Sequence, residues 1–152
     1  MSGSPMSRTV HVYRYAILTA LLPAMTGCVA TAVPAQLSVP ACEIGDQGMV
    51  RDTLYFGRNR PGGGTVRESE WRSFLDRTIT PRFPDGLTVT GATGQWRGAS
   101  GKVERERSEV VTVIHAGDPA ARGKIGEIID AYRRRFDQEA VLRERTATCV
   151  RF

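Results

Sequence analysis

The sequence predicts an α+β domain of the ferredoxin-like kind, in which the elements follow the order β-α-β-β-α-β. Four segments have the alternating or β-branched composition of strands, and two segments carry apolar residues at helical spacing. Turn signals with glycine or proline lie between these segments. We therefore expect an antiparallel sheet with two helices on one face, while the other face stays open or meets a partner.

The first half of the domain is predicted to hold one strand and one helix. Residues 50–58 are rich in strand-forming residues, and Pro-Gly-Gly-Gly at 61–64 ends the strand. Thr65 and Glu68 fit the S/T-x-x-E capping box, so we expect the first helix to begin there and to end at Pro81. Its apolar stripe would consist of Trp71, Phe74, Leu75 and Ile79.

The second half is predicted to hold two strands, a helix and a final strand. Residues 87–96 and 102–115 form the two strands, and the Gly-Ala-Ser-Gly turn at 98–101 connects them. Asp118, followed by proline, is typical of a helix N-cap. The last strand is expected at 140–146. The stripe of the second helix would consist of Ile125, Ile128, Ile129, Tyr132 and Phe136.

Residues 1–27 have the composition of a secretory signal. Arg8 and Arg14 give a basic start, and an apolar run of about 11 residues follows at 15–25. Such a run is too short to span a bilayer, which takes roughly 20 residues. We therefore expect this segment to direct export and to be removed.

The four residues that end at Cys28, Met-Thr-Gly-Cys, resemble the lipobox of bacterial lipoproteins, although Met25 stands where leucine is usual. Small residues fit the signal peptidase, and a thiolate is the nucleophile that accepts the diacylglyceryl group. The resemblance implies a membrane anchor through lipid on Cys28. Because Val29 rather than aspartate follows, it implies the periplasmic side of the outer membrane if the host is Gram-negative. The alternative is an ordinary signal with an incidental cysteine.

The mature chain is predicted to have a flexible tether at 28–41 and a single domain at 42–152. Removing the two signal arginines lowers the formal net charge from +5 to +3. Basic and acidic residues alternate at 104–107 and at 143–145, a pattern that favours a solvated surface over a phosphate-binding stripe. We expect no nucleic-acid partner, no cofactor and no metal.

Cys42 and Cys149 remain after lipidation and flank the predicted domain. In an oxidising compartment, a disulfide between them is the favoured interpretation. The alternatives are a metal site, for which further ligands are lacking nearby in the sequence, and two free thiols.

Several short stretches are distinctive in sequence. They are Leu-Tyr-Phe-Gly at 54–57, Glu-Trp at 70–71 with Phe-Leu at 74–75, Thr-Pro-Arg-Phe-Pro-Asp-Gly-Leu-Thr at 80–88, Gly-Gln-Trp-Arg at 94–97, Tyr132–Phe136 and Gln-Glu-Ala-Val-Leu at 138–142. Together they resemble the uncharacterised bacterial domain-of-unknown-function family 3574, over about residues 42–152. The resemblance implies export and a single domain, and it assigns no catalytic residue because the family has no established activity.

A glycine-rich turn with two arginines is a candidate anion-binding site. Arg58 and Arg60 precede Gly62, Gly63 and Gly64, and the turn leads from a strand to a predicted helix start. Free amides at a helix N-terminus favour anions, and guanidinium groups would add charge-assisted hydrogen bonds. The alternative is a plain flexible connection, because neither a P-loop nor G-x-G-x-x-G is present.

Trp96 beside Arg97 is a second candidate, for contact with a sugar or an aromatic ligand. The alternative places this tryptophan in the core or in a dimer interface.

His115 is a weak catalytic candidate. An aspartate three residues on, Asp118, could orient it as a general base. Since Asp118 is expected to cap a helix, a structural or surface histidine is the alternative.

Two functions remain open after these observations. The first is a lipid-anchored envelope module that binds a ligand or a protein without chemistry of its own, and we favour it. The second is a small enzyme or ligand-binding homodimer, in which open sheet faces pair around a pocket formed by His115, Trp96, Arg97 and Tyr55.

Overall fold

A computed structural model of the chain describes residues 41–152. The predicted signal and the lipidation site at Cys28 lie outside the described residues. The strands are β1 (Gln47–Gly57), β2 (Thr88–Arg97), β3 (Val103–His115) and β4 (Leu142–Val150), and the helices are α1 (Glu68–Phe74) and α2 (Pro119–Phe136). The π-helical segment Leu75–Ile79 and the 3-10 turn Thr80–Arg82 prolong α1.

The strands form one antiparallel sheet in the order β2-β3-β1-β4. In the register, Leu54 of β1 lies opposite Val111 of β3 and Arg143 of β4. Because side chains alternate along each strand, these three residues share one face of the sheet. The predicted α+β class, with a four-stranded antiparallel sheet and two helices, is confirmed.

The core lies between one face of the sheet and both helices. Leu54 and Phe56 of β1 are fully buried, and the ring of Phe56 lies 4.8 Å from that of Tyr132 and 5.3 Å from that of Trp71. Burial of this apolar area is the main force that holds the helices on the sheet. The two helices contribute Trp71, Phe74, Ala121, Ile125, Ile128, Tyr132 and Phe136 to the core.

The start of α1 differs from the prediction. Thr65 forms a β-bridge with Asn59, and the next amide, that of Val66, donates to the carbonyl of Arg58 at 2.7 Å. These contacts keep the chain extended, so the N-cap is Arg67, two residues after the predicted Thr65, and the helix begins at Glu68. A tertiary pairing therefore overrides the local capping pattern. Glu70 accepts a hydrogen bond from the N-cap amide at 2.9 Å instead.

The start of α2 agrees with the prediction. The carboxylate of Asp118 accepts a hydrogen bond from the amide of Ala121 at 2.7 Å, and proline occupies the first turn. The helix ends at Asp137, whose left-handed backbone (φ 55°) reverses the chain. Arg133, Arg134 and Arg135 lie in the last turn, where cations complement the helix dipole.

Cys42 and Cys149 lie at disulfide distance, with an S–S separation of 2.05 Å. The bond joins the segment before β1 to the end of β4, as predicted. Within residues 41–152 we find no helix long and apolar enough to cross a membrane.

Candidate functional site

Two cavities lie at opposite ends of the sheet. One, of about 580 Å³, adjoins the beginning of β3 at Glu104 and is called here the Trp96 cavity. The other, of about 880 Å³, adjoins the end of β3 at His115 and is called the His115 cavity. Because each strand residue advances the chain by about 3.3 Å, the two ends are about 36 Å apart. The predicted single pocket around His115 and Trp96 therefore does not form within one domain.

Four segments far apart in sequence meet at the Trp96 cavity. The open face of the sheet supplies Tyr55 and Gly57 from β1 and Gly94 and Trp96 from β2. The turn after β1 and the chain before β4 close its sides. Further lining residues are Asn59, Arg60, Pro61, Gln95, Glu104, Glu106, Ser108, Gln138, Glu139, Ala140, Val141, Leu142 and Arg143. Three of the stretches that carry the family resemblance, at 54–57, 94–97 and 138–142, thus contribute to one cavity.

Aromatic surface is available at this cavity. Trp96 is 38% exposed, which is unusual for so large an apolar side chain. Tyr55 lies on the same face of the sheet and donates a hydrogen bond from its hydroxyl to Glu144 at 2.6 Å. This hydrogen bond raises the pKa of Tyr55 above its ordinary value of 10.0.

The charge at the cavity is mainly negative. Glu104, Glu106 and Glu139 line it, and in the described part of the chain none of the three forms an ion pair with lysine or arginine. The carboxylate of Glu106 accepts a hydrogen bond from the amide of Asn59 at 3.1 Å. A Cβ atom at Gly57 would lie 2.5 Å from both Glu106 carboxylate oxygens, so a glycine there leaves room for the carboxylate.

The guanidinium groups at this cavity have partners of their own. Arg60 pairs with Glu70 at 3.1 Å and lies over the ring of Phe136. Arg143 pairs with Asp52 at 2.8 Å. Their charges are therefore partly compensated, and a cationic ligand would meet three carboxylates that have no ion-pair partner among the described residues.

The residues of the predicted anion site have other roles. Arg58 is buried and pairs with Glu109 at 2.5 Å, and its Nε donates to the carbonyl of Val66 at 2.8 Å. The charge of Arg58 is thus neutralised by Glu109 inside the protein. Of the predicted anion-binding residues, only Arg60 lines one of the two described cavities. It was expected to bind an anion there, but it lies among carboxylates.

The three glycines form a tight turn. The amide of Gly63 donates to the carbonyl of Arg60 at 2.9 Å, and Arg60 in turn donates to Gly64 at 3.0 Å. Gly63 and Gly64 have positive φ values, which explains the glycine composition at these positions. Gly62 completes the turn. Because an extended segment separates the turn from α1, its amides do not lie at a helix N-terminus.

Arg97 and Trp96 lie on opposite faces of β2, because successive strand side chains alternate. Only Trp96 lines the cavity. Trp96 and Arg97 are adjacent in sequence, but the strand places their side chains on opposite faces of the sheet.

His115 has an aspartate partner, but that partner is Asp52 and not Asp118. The distance from its Nε2 to the carboxylate of Asp52 is 2.8 Å, and the amide of Gly117 donates to its Nδ1 at 2.9 Å. Since Nδ1 accepts a hydrogen bond, the proton lies on Nε2 and is donated to Asp52. Both nitrogens are occupied, so the structure favours the structural role over the predicted general base.

Asp52 was not predicted as a special residue. It lies on the core face of β1, is fully buried, and also accepts two hydrogen bonds from Arg143, at 2.8 and 2.9 Å. Burial alone would raise its pKa, but the hydrogen bonds from Arg143 and His115 hold the pKa below the ordinary value of 3.8. The sequence did contain a signal for this role: position 52 alternates in phase with the apolar residues Val50 and Leu54, so its aspartate side chain is expected to face the core.

The family model described as "Protein of unknown function (DUF3574)" matches residues 51–152. A solved structure of a phage SAM lyase in complex with S-methyl-5′-thioadenosine is similar at 14% identity and a TM-score of 0.54, over 80% of this chain and 97% of that one. The apo state of a phage SAM lyase is similar at 17% identity and a TM-score of 0.49, over 76% and 97%. No curated protein matches the sequence. The first likeness indicates a shared fold.

Proposed function

Since the chain belongs to the DUF3574 family, which has no known function, we propose a function from the Trp96 cavity itself: the domain binds a small ligand that joins a planar ring to a positive charge. The observation that carries the proposal is the placement of exposed Trp96 beside three carboxylates without cationic partners. An indole face attracts both planar rings and cations. Glu104, Glu106 and Glu139 would add the attraction between opposite charges.

The size of the cavity supports a ligand of nucleoside dimensions. Its volume of about 580 Å³ falls within the range of about 300–1,000 Å³ that is usual for small-molecule sites. The structurally similar phage protein is a SAM lyase, and SAM combines an adenine ring with a positively charged sulfonium. The likeness is one of fold, so it supplies the first ligands to test. SAM carries the sulfonium, whereas S-methyl-5′-thioadenosine has the same ring without the charge.

The cellular setting is part of the proposal. Export through residues 1–27 and lipid on Cys28 would hold the domain at the periplasmic side of an outer membrane, where it acts as an envelope binding module. We also propose that the sheet and helices form the ferredoxin-like arrangement and that two copies pair through their open sheet faces. The exposed aromatic surface at Trp96 supports such pairing.

Replacement of Trp96 by alanine is expected to weaken SAM binding at least tenfold without changing stability. The side chain is on the surface, so its loss removes ligand contact but little core packing. Isothermal titration calorimetry of the purified full chain measures the affinity, and urea denaturation measures the stability. Val103→Ala is the matched control, because Val103 is exposed but lies outside the cavity lining.

The carboxylates give a second test of the same proposal. In the double variant Glu104→Gln and Glu106→Gln, affinity for SAM should fall while affinity for S-methyl-5′-thioadenosine changes little. An equal loss of affinity for both ligands would contradict the proposed attraction between the carboxylates and the sulfonium charge. If the unaltered chain binds neither ligand, the proposed class is wrong.

A further inference from the structure

The His115 cavity has no part in the proposed function, and its walls are largely apolar. Residues 82–88, which belong to the stretch Thr-Pro-Arg-Phe-Pro-Asp-Gly-Leu-Thr, form one side. Phe83 and Leu87 from this side face the same space as Ile114 of β3 and Val150 of β4. Ile114 is 41% exposed although it is a large β-branched side chain. The cavity thus offers an open apolar surface at the end of the sheet.

A single uncompensated cation lies at this surface. In residues 41–152, the ammonium of Lys124 forms no ion pair with a carboxylate, and it lies 6.0 Å from the ring centroid of Phe83. The other cations that line the cavity are neutralised. Arg82 pairs with Glu127 at 3.0 Å, and Arg151 pairs with Asp46 at 2.6 Å.

The carboxylates at the cavity do not cancel this charge. Asp118 is engaged in capping α2, since it accepts the amide of Ala121 at 2.7 Å. Asp85 lies in the exposed turn of the 82–88 wall, and it too is not paired with Lys124. A negatively charged group would therefore find one available ammonium directly beside apolar walls.

We propose that the His115 cavity binds a single-chain amphiphile with an anionic headgroup. The ammonium of Lys124 holds the headgroup, which is a phosphate or a carboxylate, through charge-assisted hydrogen bonds. The hydrocarbon chain packs on Phe83, Leu87 and Ile114, where burial of its methylene groups favours binding. The volume of about 880 Å³ accommodates a chain of moderate length. This site is independent of the Trp96 cavity.

Dodecyl phosphate below its micelle concentration is the probe, with inorganic phosphate and dodecanol as its two halves. Isothermal titration calorimetry on the full chain should show binding of dodecyl phosphate and at least tenfold weaker binding of either half. Lys124→Gln is expected to weaken dodecyl phosphate binding at least tenfold. The control is Lys102→Gln, because Lys102 is the only other lysine of the chain and lies in the turn before β3.

A second variant tests the contribution of the hydrocarbon chain separately from that of the headgroup. Leu87→Ser should weaken dodecyl phosphate and leave any weak phosphate binding unchanged, and far-ultraviolet circular dichroism should confirm that each variant is folded. Equal binding of dodecyl phosphate to the Lys124 and Lys102 variants would overturn the proposal. If inorganic phosphate binds as tightly as dodecyl phosphate, the cavity is a simple anion site, and this result would also overturn the proposal.

Discussion

Replacing Cys42 and Cys149 by serine is expected to lower the free energy of unfolding by about 4–5 kcal/mol. The bond closes a loop with a sequence separation of 107, and without the bond the unfolded chain gains conformational entropy, which stabilises the unfolded state. The bond also fixes the end of β4, which is an edge strand held by β1 alone.

Urea denaturation of the full chain, with and without a thiol reductant, measures this effect. The unaltered protein should lose stability when it is reduced, whereas the double serine variant should be insensitive to the reductant. If the midpoint of the unaltered protein does not move on reduction, the two cysteines are not bonded in solution.

Asp52→Asn is expected to destabilise the fold by about 3 kcal/mol or more. The carboxylate is fully buried and joins Arg143 to His115, so its neutralisation leaves a partly buried guanidinium without its counter-charge. Asp130→Asn is a suitable control, because Asp130 lies on the exposed side of α2. Equilibrium unfolding at pH 7 compares the two variants, and equal stabilities would show that the buried network contributes little.

The same substitution should change the response to acid. Because the pKa of Asp52 is lowered in the folded state, the stability that it provides is fully present above the ordinary value of 3.8 and is lost as the pH falls through the lowered pKa. The unaltered chain should therefore lose stability more steeply below pH 4 than Asp52→Asn. If the free energies of unfolding of the two proteins change in parallel with pH, the acid sensitivity does not come from Asp52.

The disulfide and the buried Asp52 network differ in how far the sequence predicts them. The pairing of Cys42 with Cys149 follows from their positions at the two ends of one domain, in a chain for which export is predicted. The elements were also predictable, because strand alternation and the Asp118 cap are local patterns. The start of α1 was not, since the bridge between Asn59 and Thr65 is formed only when the chain folds.

The candidate site depends on sheet register, which local patterns do not determine. Asp52 and His115 are 63 residues apart in sequence, and only the pairing of β1 with β3 brings them together. The same pairing places Tyr55 near the Trp96 cavity and His115 at the far end. Within one domain, Trp96 and Tyr55 therefore line the same cavity, whereas Arg97 and His115, which were predicted to share it, do not line it.

The covalent link between residues 42 and 149 has a mechanical consequence. A force applied to the chain before Cys42 and after Cys149 passes directly through the sulfur–sulfur bond, because the two α-carbons are only 5.6 Å apart. The strands and helices between them then carry no tension. Stretching the protein from its two ends should extend only the residues outside this loop, and the Trp96 cavity, whose lining residues all lie between the two cysteines, would keep its shape under load.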